Sequence, residues 1–341
     1  VDMLYAFKAL DPENNFPVGG SMDVVSNAYF FLNAFGYVNS NGYGRNPTLR
    51  NGEVVIPAYD TEVFKDYLAL MNKFYTDGII NPNYFTMENT EAMAQLNNGQ
   101  NILYGTPVYV TGLTSWDEWE APYPLTSSVH ETPVWHTPDF VRVGGCAVSA
   151  TTEYPELCLR ICDIFFAEDG REIWVGVPND SEYSFGYYGA EIGPEGTEWW
   201  DTEKLDGLDL WSYLMAKRIG FMPSFGAIED WPAYLAWYKI RGIDYEKRFD
   251  MNNPDQHYRW SVYNNLVPYA SPCFPGTYYL SEEENYKLTD LRTVIHPYIE
   301  EQVAKFITGA RPLDEIDAFA EELKGLGIED LLAIYKAIYG P

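Results

Sequence analysis

Basic residues are scarce in this chain. Its 341 residues contain 22 Lys and Arg against 50 Asp and Glu, which gives a formal net charge of -28. Such a surface repels phosphate backbones and anionic lipid headgroups. The charge balance therefore argues against nucleic-acid binding and against electrostatic docking to a membrane.

Long apolar runs are also missing. No stretch approaches the roughly 18 residues of a membrane span, and no signal peptide is recognisable. The chain starts without Met, at Val1, and residues 1–10 already have helical periodicity. We interpret it as a chain that begins inside an element, and we expect a processed or trimmed product.

The cysteines do not form a disulfide framework. Cys158 and Cys162 are spaced too loosely for a CxxC redox or zinc motif, and the others are Cys146 and Cys273. We expect free thiols buried in the core. Cysteine usage therefore leaves the cellular compartment open.

Signatures of common enzymes are absent as well. The sequence has no GxSxG nucleophile motif, no HExxH zinc motif and no GxxxxGK[ST] phosphate loop. His130 and His136 flank a short loop, but two histidines without a third ligand favour hydrogen-bonded imidazoles over a metal site. No internal repeat is evident, which disfavours a surface adhesin.

Apolar and aromatic residues, by contrast, are abundant. Hydrophobic residues make up 46% of the chain, and 341 residues exceed the size at which one core keeps growing, so we expect two lobes. The 10 Trp, 28 Tyr and 18 Phe amount to 16% of the sequence. Tyr and Trp beyond the needs of a core are typical of wet surfaces that hold ligands by an apolar ring face and a polar edge.

The stretch over 140–170 organises the rest of the chain. A β-rich run over 140–149 leads into a segment over 154–166, where one helical face carries Leu157, Ile161, Ile164 and Phe165. A strand that feeds a helix packed against a sheet predicts an α/β fold. We expect the chain to pass from one lobe to the other here, beside a ligand cleft.

Helical periodicity recurs on both sides of this unit. We predict helices over 22–35, 60–78, 88–97, 210–218, 232–240, 281–306, 312–325 and 328–339, and short strands over 53–57 and 100–105. Residues 39–51 and 252–275 are predicted to be irregular. Asp60 is expected to be an N-cap, Ser281 and Glu284 to form a capping box, and Pro297 to kink its helix.

Several aromatics lie outside these periodic faces, in loops or at the ends of elements: Tyr109, Trp116, Trp119, Tyr123 and Trp135. Loops at strand ends carry the ligand sites of open α/β sheets. Our candidate ligand-binding residues are Tyr109, Trp116, Trp135, Tyr183 and Trp231, with Glu229, Asp230 and Arg241 as candidate hydroxyl partners.

A carbohydrate-active enzyme is the alternative hypothesis. Glycoside hydrolases and polysaccharide lyases also combine aromatic rings with paired carboxylates. Asp117, Glu118 and Glu120 are the first candidates, because they lie beside Trp116 and Trp119. The plain interpretation of the same residues is a solvated acidic loop.

Three stretches carry a resemblance through their order and spacing. They are Phe7-Lys-Ala-Leu-Asp-Pro-Glu-Asn-Asn15, Tyr67-Leu-Ala-Leu-Met-Asn-Lys-Phe-Tyr-Thr-Asp-Gly-Ile-Ile-Asn-Pro82, and Phe306-Ile-Thr-Gly309 followed by Leu323-Lys-Gly-Leu-Gly-Ile328. Together they resemble the extracellular solute-binding proteins of carbohydrate ABC importers, in the branch of alginate-oligosaccharide binders and related Gram-positive lipoproteins. The resemblance runs over nearly all of the chain.

The resemblance implies a periplasmic-binding-protein-like α/β fold of type II, with crossing hinge strands and a helix-rich second lobe. On that model residues 1–138 and 206–341 form the second lobe and residues 139–205 belong to the first. It implies capture of an oligosaccharide by hinge closure and its delivery, unaltered, to the importer's membrane subunits. The protein would be a monomer, either periplasmic or held at the cell surface by a lipid anchor outside this chain.

Two further expectations come from the resemblance. Family members carry a long segment before the point where this chain begins, so most of the first lobe is expected to be missing. Relatives often have an EF-hand-like calcium loop at residues 11–20, where this chain offers Asp11, Glu13 and Asn15 but has Gly19 and Gly20. Calcium takes six to eight oxygens, so this weak calcium candidate is short of ligands, and no cofactor is expected.

Overall fold

The computed structural model describes residues 1–20, 29–38, 42–105, 119–136, 148–166, 190–192, 198–200, 261, 264–276 and 278–340. The α-helices in these ranges are α1 Asp2–Leu10, α2 Tyr29–Asn33, α3 Thr61–Thr76, α4 Asn89–Asn97, α5 Pro155–Phe166, α6 Glu282–Thr308, α7 Ile316–Gly325 and α8 Ile328–Tyr339. The strands are β1 Thr48–Arg50, β2 Glu53–Val55, β3 Trp135–His136, β4 Ala190–Ile192, β5 Glu198–Trp200 and β6 Ala270–Ser271. The strands pair as β1–β2, β3–β6 and β4–β5.

The chain divides into two units. The first comprises Val1–Thr137 together with Tyr258–Pro341, and the second is Pro138–His257. The chain therefore leaves the first unit once and returns to it. The assignment of residues 139–205 to a first lobe stays a prediction.

Helix α3 lies at the centre of the first unit's core. Its apolar face is buried as its periodicity predicts, at Val63, Phe64, Tyr67, Leu68, Met71 and Phe74. Helix α6 packs along α3 and buries its own face at Leu288, Ile295, Ile299, Val303, Phe306 and Ile307. Each fully buried side chain of this kind contributes roughly 1.5–3 kcal/mol, so the α3–α6 contact is a major stabilising element of the unit.

Both ends of α6 are closed by side chains or by a special backbone conformation. The predicted capping box is confirmed, because the Glu284 N–H donates to Ser281 Oγ at 3.3 Å and the Ser281 N–H donates to Glu284 Oε2 at 2.9 Å. At the other end Gly309 adopts φ 78°. Asn72 of α3 donates its Nδ2 to the carbonyl of Ile307 at 3.0 Å, which satisfies an otherwise open acceptor. Pro297 lies inside α6, which continues to Thr308.

The start of α3 differs in detail from the prediction. Asp60 occupies the N-cap position, but its side chain makes no capping hydrogen bond. Its Oδ2 instead accepts the Tyr37 hydroxyl at 2.9 Å and lies 3.4 Å from Nη1 of Arg50. Burial, followed by the nearby Asp60 carboxylate, raises the pKa of Tyr37 well above its usual range. The carboxylate therefore joins α3 to β1 rather than capping its own helix.

Two strand predictions were wrong. Residues 48–50, predicted to be irregular, form β1, which pairs with β2 through a turn at Asn51 (φ 53°) and Gly52 (φ 82°). Two consecutive positive φ angles are the mark of a type I′ hairpin, for which Asn-Gly is the preferred sequence. Residues 100–105 form no strand and make only an isolated parallel bridge from Leu103 to Val18.

The second unit is described at α5 and at the antiparallel pair β4–β5. Helix α5 forms where it was predicted, but the large apolar side chains described in its first half are largely in solvent: Leu157 is 55% exposed and Ile161 50% exposed. The predicted strand over 140–149 and the predicted helices over 210–218 and 232–240 fall almost wholly outside the described residues. Among the helices that the structure describes, none is long and apolar enough to cross a membrane.

Candidate functional site

Strands β3 and β6 bring two distant parts of the first unit together. Trp135 aligns with Ala270 and His136 with Ser271 in a parallel pair. The indole of Trp135 is half-buried and packs against the main core, with the His136 ring 5.2 Å away. Because Tyr269 immediately precedes Ala270, the pairing fixes the position of that tyrosine beside β3.

The segment before β3 is tied to the same region. The Ala121 N–H donates to Ser261 Oγ at 2.8 Å, and Asn265 Nδ2 donates to the Ala121 carbonyl at 2.6 Å. Ala121 itself is buried. Both hydrogen bonds join residues more than a hundred positions apart in the chain, so they anchor this loop against the segment that leads to Tyr269.

Tyr123 projects from the anchored loop. It stands between Pro122 and Pro124, and a residue before proline is restricted to extended backbone. Its side chain is 61% exposed, and its ring meets the Tyr269 ring at 6.2 Å between centroids and 82° between planes. We call Tyr123 and Tyr269 the tyrosine pair.

The tyrosine pair has the properties that sugar binding requires. An edge-to-face pair presents ring faces in two directions, and each phenol adds a hydroxyl that donates and accepts hydrogen bonds. The apolar C–H face of a pyranose can pack on such a ring, while the sugar hydroxyls can form hydrogen bonds with the phenol hydroxyl. The prolines restrict the backbone at Tyr123, and the Ala121 hydrogen bonds anchor the loop that carries it.

The predicted ligand-binding residues have different outcomes. Trp135 is in the structure, in β3 rather than in a loop, and its part in binding stays a prediction. Tyr109, Trp116, Tyr183 and Trp231 lie outside the described residues, as do Glu229, Asp230 and Arg241. The prediction missed Tyr269 because the sequence around it lacks periodicity. The available signal was a tyrosine next to a proline, Pro268-Tyr269, the same combination that occurs at Tyr123.

The acidic residues of the enzyme hypothesis are described only in part. Glu120 is exposed, whereas Asp117 and Glu118 lie outside the described residues. Trp119 packs against a small cluster formed by Leu96 and Tyr104. That contact gives Trp119 a packing role in the first unit.

The two histidines of the loop lie in different surroundings. His130 lies against Gly36, where an added Cβ would stand 2.8 Å from its Nδ1. Burial, followed by the positive charge of Arg50, lowers the pKa of His130. His136 lies in β3 against Trp135. Within the described residues no group of three or more His, Cys, Asp or Glu is placed to hold a metal ion.

The calcium candidate is occupied by internal hydrogen bonds. Asp11 Oδ1 accepts the N–H groups of Glu13 and Asn14, and its Oδ2 accepts Asn14 Nδ2 at 2.9 Å. These hydrogen bonds lower the pKa of Asp11, with the Asn14 side chain as the largest cause. The Lys8 ammonium donates to the Asn15 carbonyl at 2.7 Å. Because a cation already lies on this turn and Asp11 is engaged within it, its residues fit calcium poorly.

Comparisons with known proteins were made by sequence and by structure. No family model matches the chain, and no curated protein matches it by sequence. Solved structures do match. The alginate-binding protein AlgQ2 without calcium ion has a TM-score of 0.63 at 17% identity, with 99% of this chain and 66% of that chain covered.

Two further structures show the same likeness. The S. pneumoniae ABC-transporter substrate binding protein FusA in complex with kestose has a TM-score of 0.61 at 19% identity, with 99% of this chain and 66% of that chain covered. An HMO binding ABC-transporter associated solute binding protein from Bifidobacterium longum infantis has a TM-score of 0.60 at 14% identity, with coverages of 99% and 68%. This chain thus spans about two thirds of their length, and it has the periplasmic-binding-protein-like α/β fold.

Proposed function

We propose that the protein is the extracellular substrate-binding component of an ABC transporter that captures an oligosaccharide and passes it to the membrane subunits. The observation that carries this proposal is the tyrosine pair, two rings that meet edge to face and lie partly in solvent on an anchored loop. Aromatic platforms of this kind pack against the apolar faces of sugar rings. The matched structures are binding proteins, which supports a binding role.

The proposed mechanism is capture by closure of two lobes. On this proposal residues 1–138 and 206–341 form one lobe, residues 139–205 are part of the other, and further polypeptide of the same protein completes it. The ligand binds the closed state better than the open one, so it shifts the population towards the closed state. Tyr109, Trp116, Trp135, Tyr183 and Trp231 are proposed to add ring surfaces to those of the tyrosine pair.

The proposed ligand is a neutral oligosaccharide. With 22 basic residues against 50 acidic ones, the chain's field opposes the approach of a polyuronate. Stacking on tyrosine faces needs no charge on the sugar. In keeping with its class, the protein is proposed to act as a monomer, in the periplasm or at the cell surface through a lipid anchor outside this chain.

Calorimetry on the full-length gene product tests this function. We expect a panel of neutral and acidic oligosaccharides to contain a neutral binder, and Tyr123→Ala to weaken its binding about tenfold, or about 1.4 kcal/mol. The matched control is Tyr279→Ala, because Tyr279 is 87% exposed and lies outside the tyrosine pair. This control should leave the dissociation constant unchanged.

Chromatography of the sugars after incubation separates the two functional classes. A binding protein returns every oligosaccharide intact. Release of shorter sugars, lost on substitution of Glu120, would favour the hydrolase instead. Absence of heat with every sugar, or equal losses in Tyr123→Ala and Tyr279→Ala, would refute a binding role for the tyrosine pair.

A further inference from the structure

Helix α5 has an unusual distribution of residues around its axis. Of its 12 residues, three are charged, Glu156, Arg160 and Asp163, and their spacing of four and three places them on one narrow stripe. Glu156 and Arg160 form an ion pair along this stripe, with 79% and 73% of their side chains exposed. The other positions hold only apolar residues, Cys and Pro. A helix that is apolar over most of its circumference belongs in an interior.

The structure nevertheless leaves α5 in solvent on more than one side. Leu157 is 55% exposed and Leu159 is 59% exposed, although their side chains point in nearly opposite directions from the helix axis. Ile161 is 50% exposed, on the same side as Leu157, and Tyr154 just before the helix is 65% exposed. Large apolar side chains exposed on more than one side of a helix indicate an interface.

We infer that the apolar surface of α5, formed by Tyr154, Leu157, Leu159 and Ile161, is the docking surface for further polypeptide of the same protein. The length of the matched structures supports this occupant, because about a third of each lies beyond the part that this chain covers. The inference rests on the two-lobed arrangement proposed above. It adds which surface the remaining polypeptide covers, and it does not depend on sugar binding.

Charge argues against the other occupants. Each chain carries a formal net charge of -28, so a second copy would be repelled. The same charge opposes an anionic lipid surface. A covalently joined segment does not pay the entropy of association, because its effective concentration is high.

Thiol labelling of two variants tests the inference. Leu157→Cys places a thiol on the apolar surface, and Glu156→Cys places one on the charged stripe as the matched control, both in a Cys158→Ala background. Each is made in the 341-residue chain and in the full-length gene product, and mass spectrometry follows its reaction with iodoacetamide. We expect Leu157→Cys to react about tenfold more slowly or less in the longer protein, and Glu156→Cys to react equally in both.

A second pair of variants needs no labelling. Leu157→Glu and Ile161→Glu should leave the melting temperature of the 341-residue chain unchanged and lower that of the longer protein. Three results would overturn the inference: equal reaction of Leu157→Cys in both proteins, protection already complete in the 341-residue chain, or protection that rises with its concentration. Neither readout uses a sugar, so a failure of the proposed function leaves this inference standing.

Discussion

Replacement of Arg311 by alanine is predicted to be among the most damaging single changes in the first unit. Arg311 is only 9% exposed and lies between α6 and α7. Its Nη1 and Nη2 atoms donate to the two carboxylate oxygens of Glu322 at 2.9 and 3.2 Å, and Nη1 also donates to Gln302 Oε1 at 2.7 Å. The guanidinium stands over the rings of Phe306 and Phe319, 5.1 and 5.7 Å from their centroids.

The magnitude follows from these contacts. Removal of one member of a buried ion pair costs about 3–5 kcal/mol, but Glu322 keeps 44% of its side chain in solvent, which screens part of that loss. The buried Gln302 carbonyl loses its donor, at about 1–3 kcal/mol. The two ring contacts add about 0.5–1 kcal/mol each. These contributions overlap, so we expect a total loss near 3 kcal/mol.

Urea unfolding followed by far-ultraviolet circular dichroism measures this loss. The control is Lys324→Ala, which breaks the exposed pair with Glu321 and should cost less than about 1 kcal/mol. Arg311→Lys keeps the charge but not the two-pronged geometry, so we expect it to recover less than half of the loss. If Arg311→Ala were no more destabilising than Lys324→Ala, the proposed role of this guanidinium would be wrong.

Three further predictions concern backbone conformation, pH and calcium. Gly52→Ala should destabilise the chain by about 1–2 kcal/mol, because Gly52 has φ 82°. Gly325→Ala should stabilise it by up to about 1 kcal/mol, because Gly325 lies in the last turn of α7 and alanine favours a helix more than glycine does. Thermal unfolding of the two variants checks both values. Burial, followed by Arg45 and Arg292, lowers the pKa of His296 from 6.5 to about 4, so the unfolded chain binds the proton first and stability falls as the pH drops from about 6.5 towards about 4. His296→Leu should flatten that part of the pH–stability curve, and an unchanged slope would contradict this. Millimolar calcium or a chelator should leave the melting temperature unchanged, since Lys8 already occupies the turn at Asn15; a rise of several degrees with calcium would show a site.

Features that depend only on residues within one helix could be predicted from the sequence. Helix α3, the capping box of α6 and the glycine stop after α7 were all predicted, because periodicity, caps and left-handed glycines act within a few residues. The α/β fold class was confirmed by the structural comparisons. Local signals of this kind do not depend on which other element the helix packs against.

Contacts between distant segments were harder to predict. The Asp60 carboxylate was expected to cap its own helix. It instead accepts a hydrogen bond from the hydroxyl of Tyr37, 23 residues earlier in the chain. Strand β6 has two residues and forms only because β3 lies beside it. Neither the partner nor the register of such a pair can be read from one segment alone.

The abundance of aromatic residues did not by itself locate a site, because most rings in the described core have packing roles. Phe274 meets Tyr278, Tyr335 and Tyr339 at ring distances of 5.6–6.3 Å, and Arg292 donates to the hydroxyls of Tyr335 and Tyr278. The hydroxyls of Tyr335 and Tyr278 are therefore already engaged in hydrogen bonds within the protein. Tyr123 differs because prolines on both sides and the hydrogen bonds of Ala121 hold it with most of its ring in solvent. Within the described residues its ring contact is the edge-to-face meeting with Tyr269, which leaves most of the ring available, and this is why the proposed site is placed there rather than in the core.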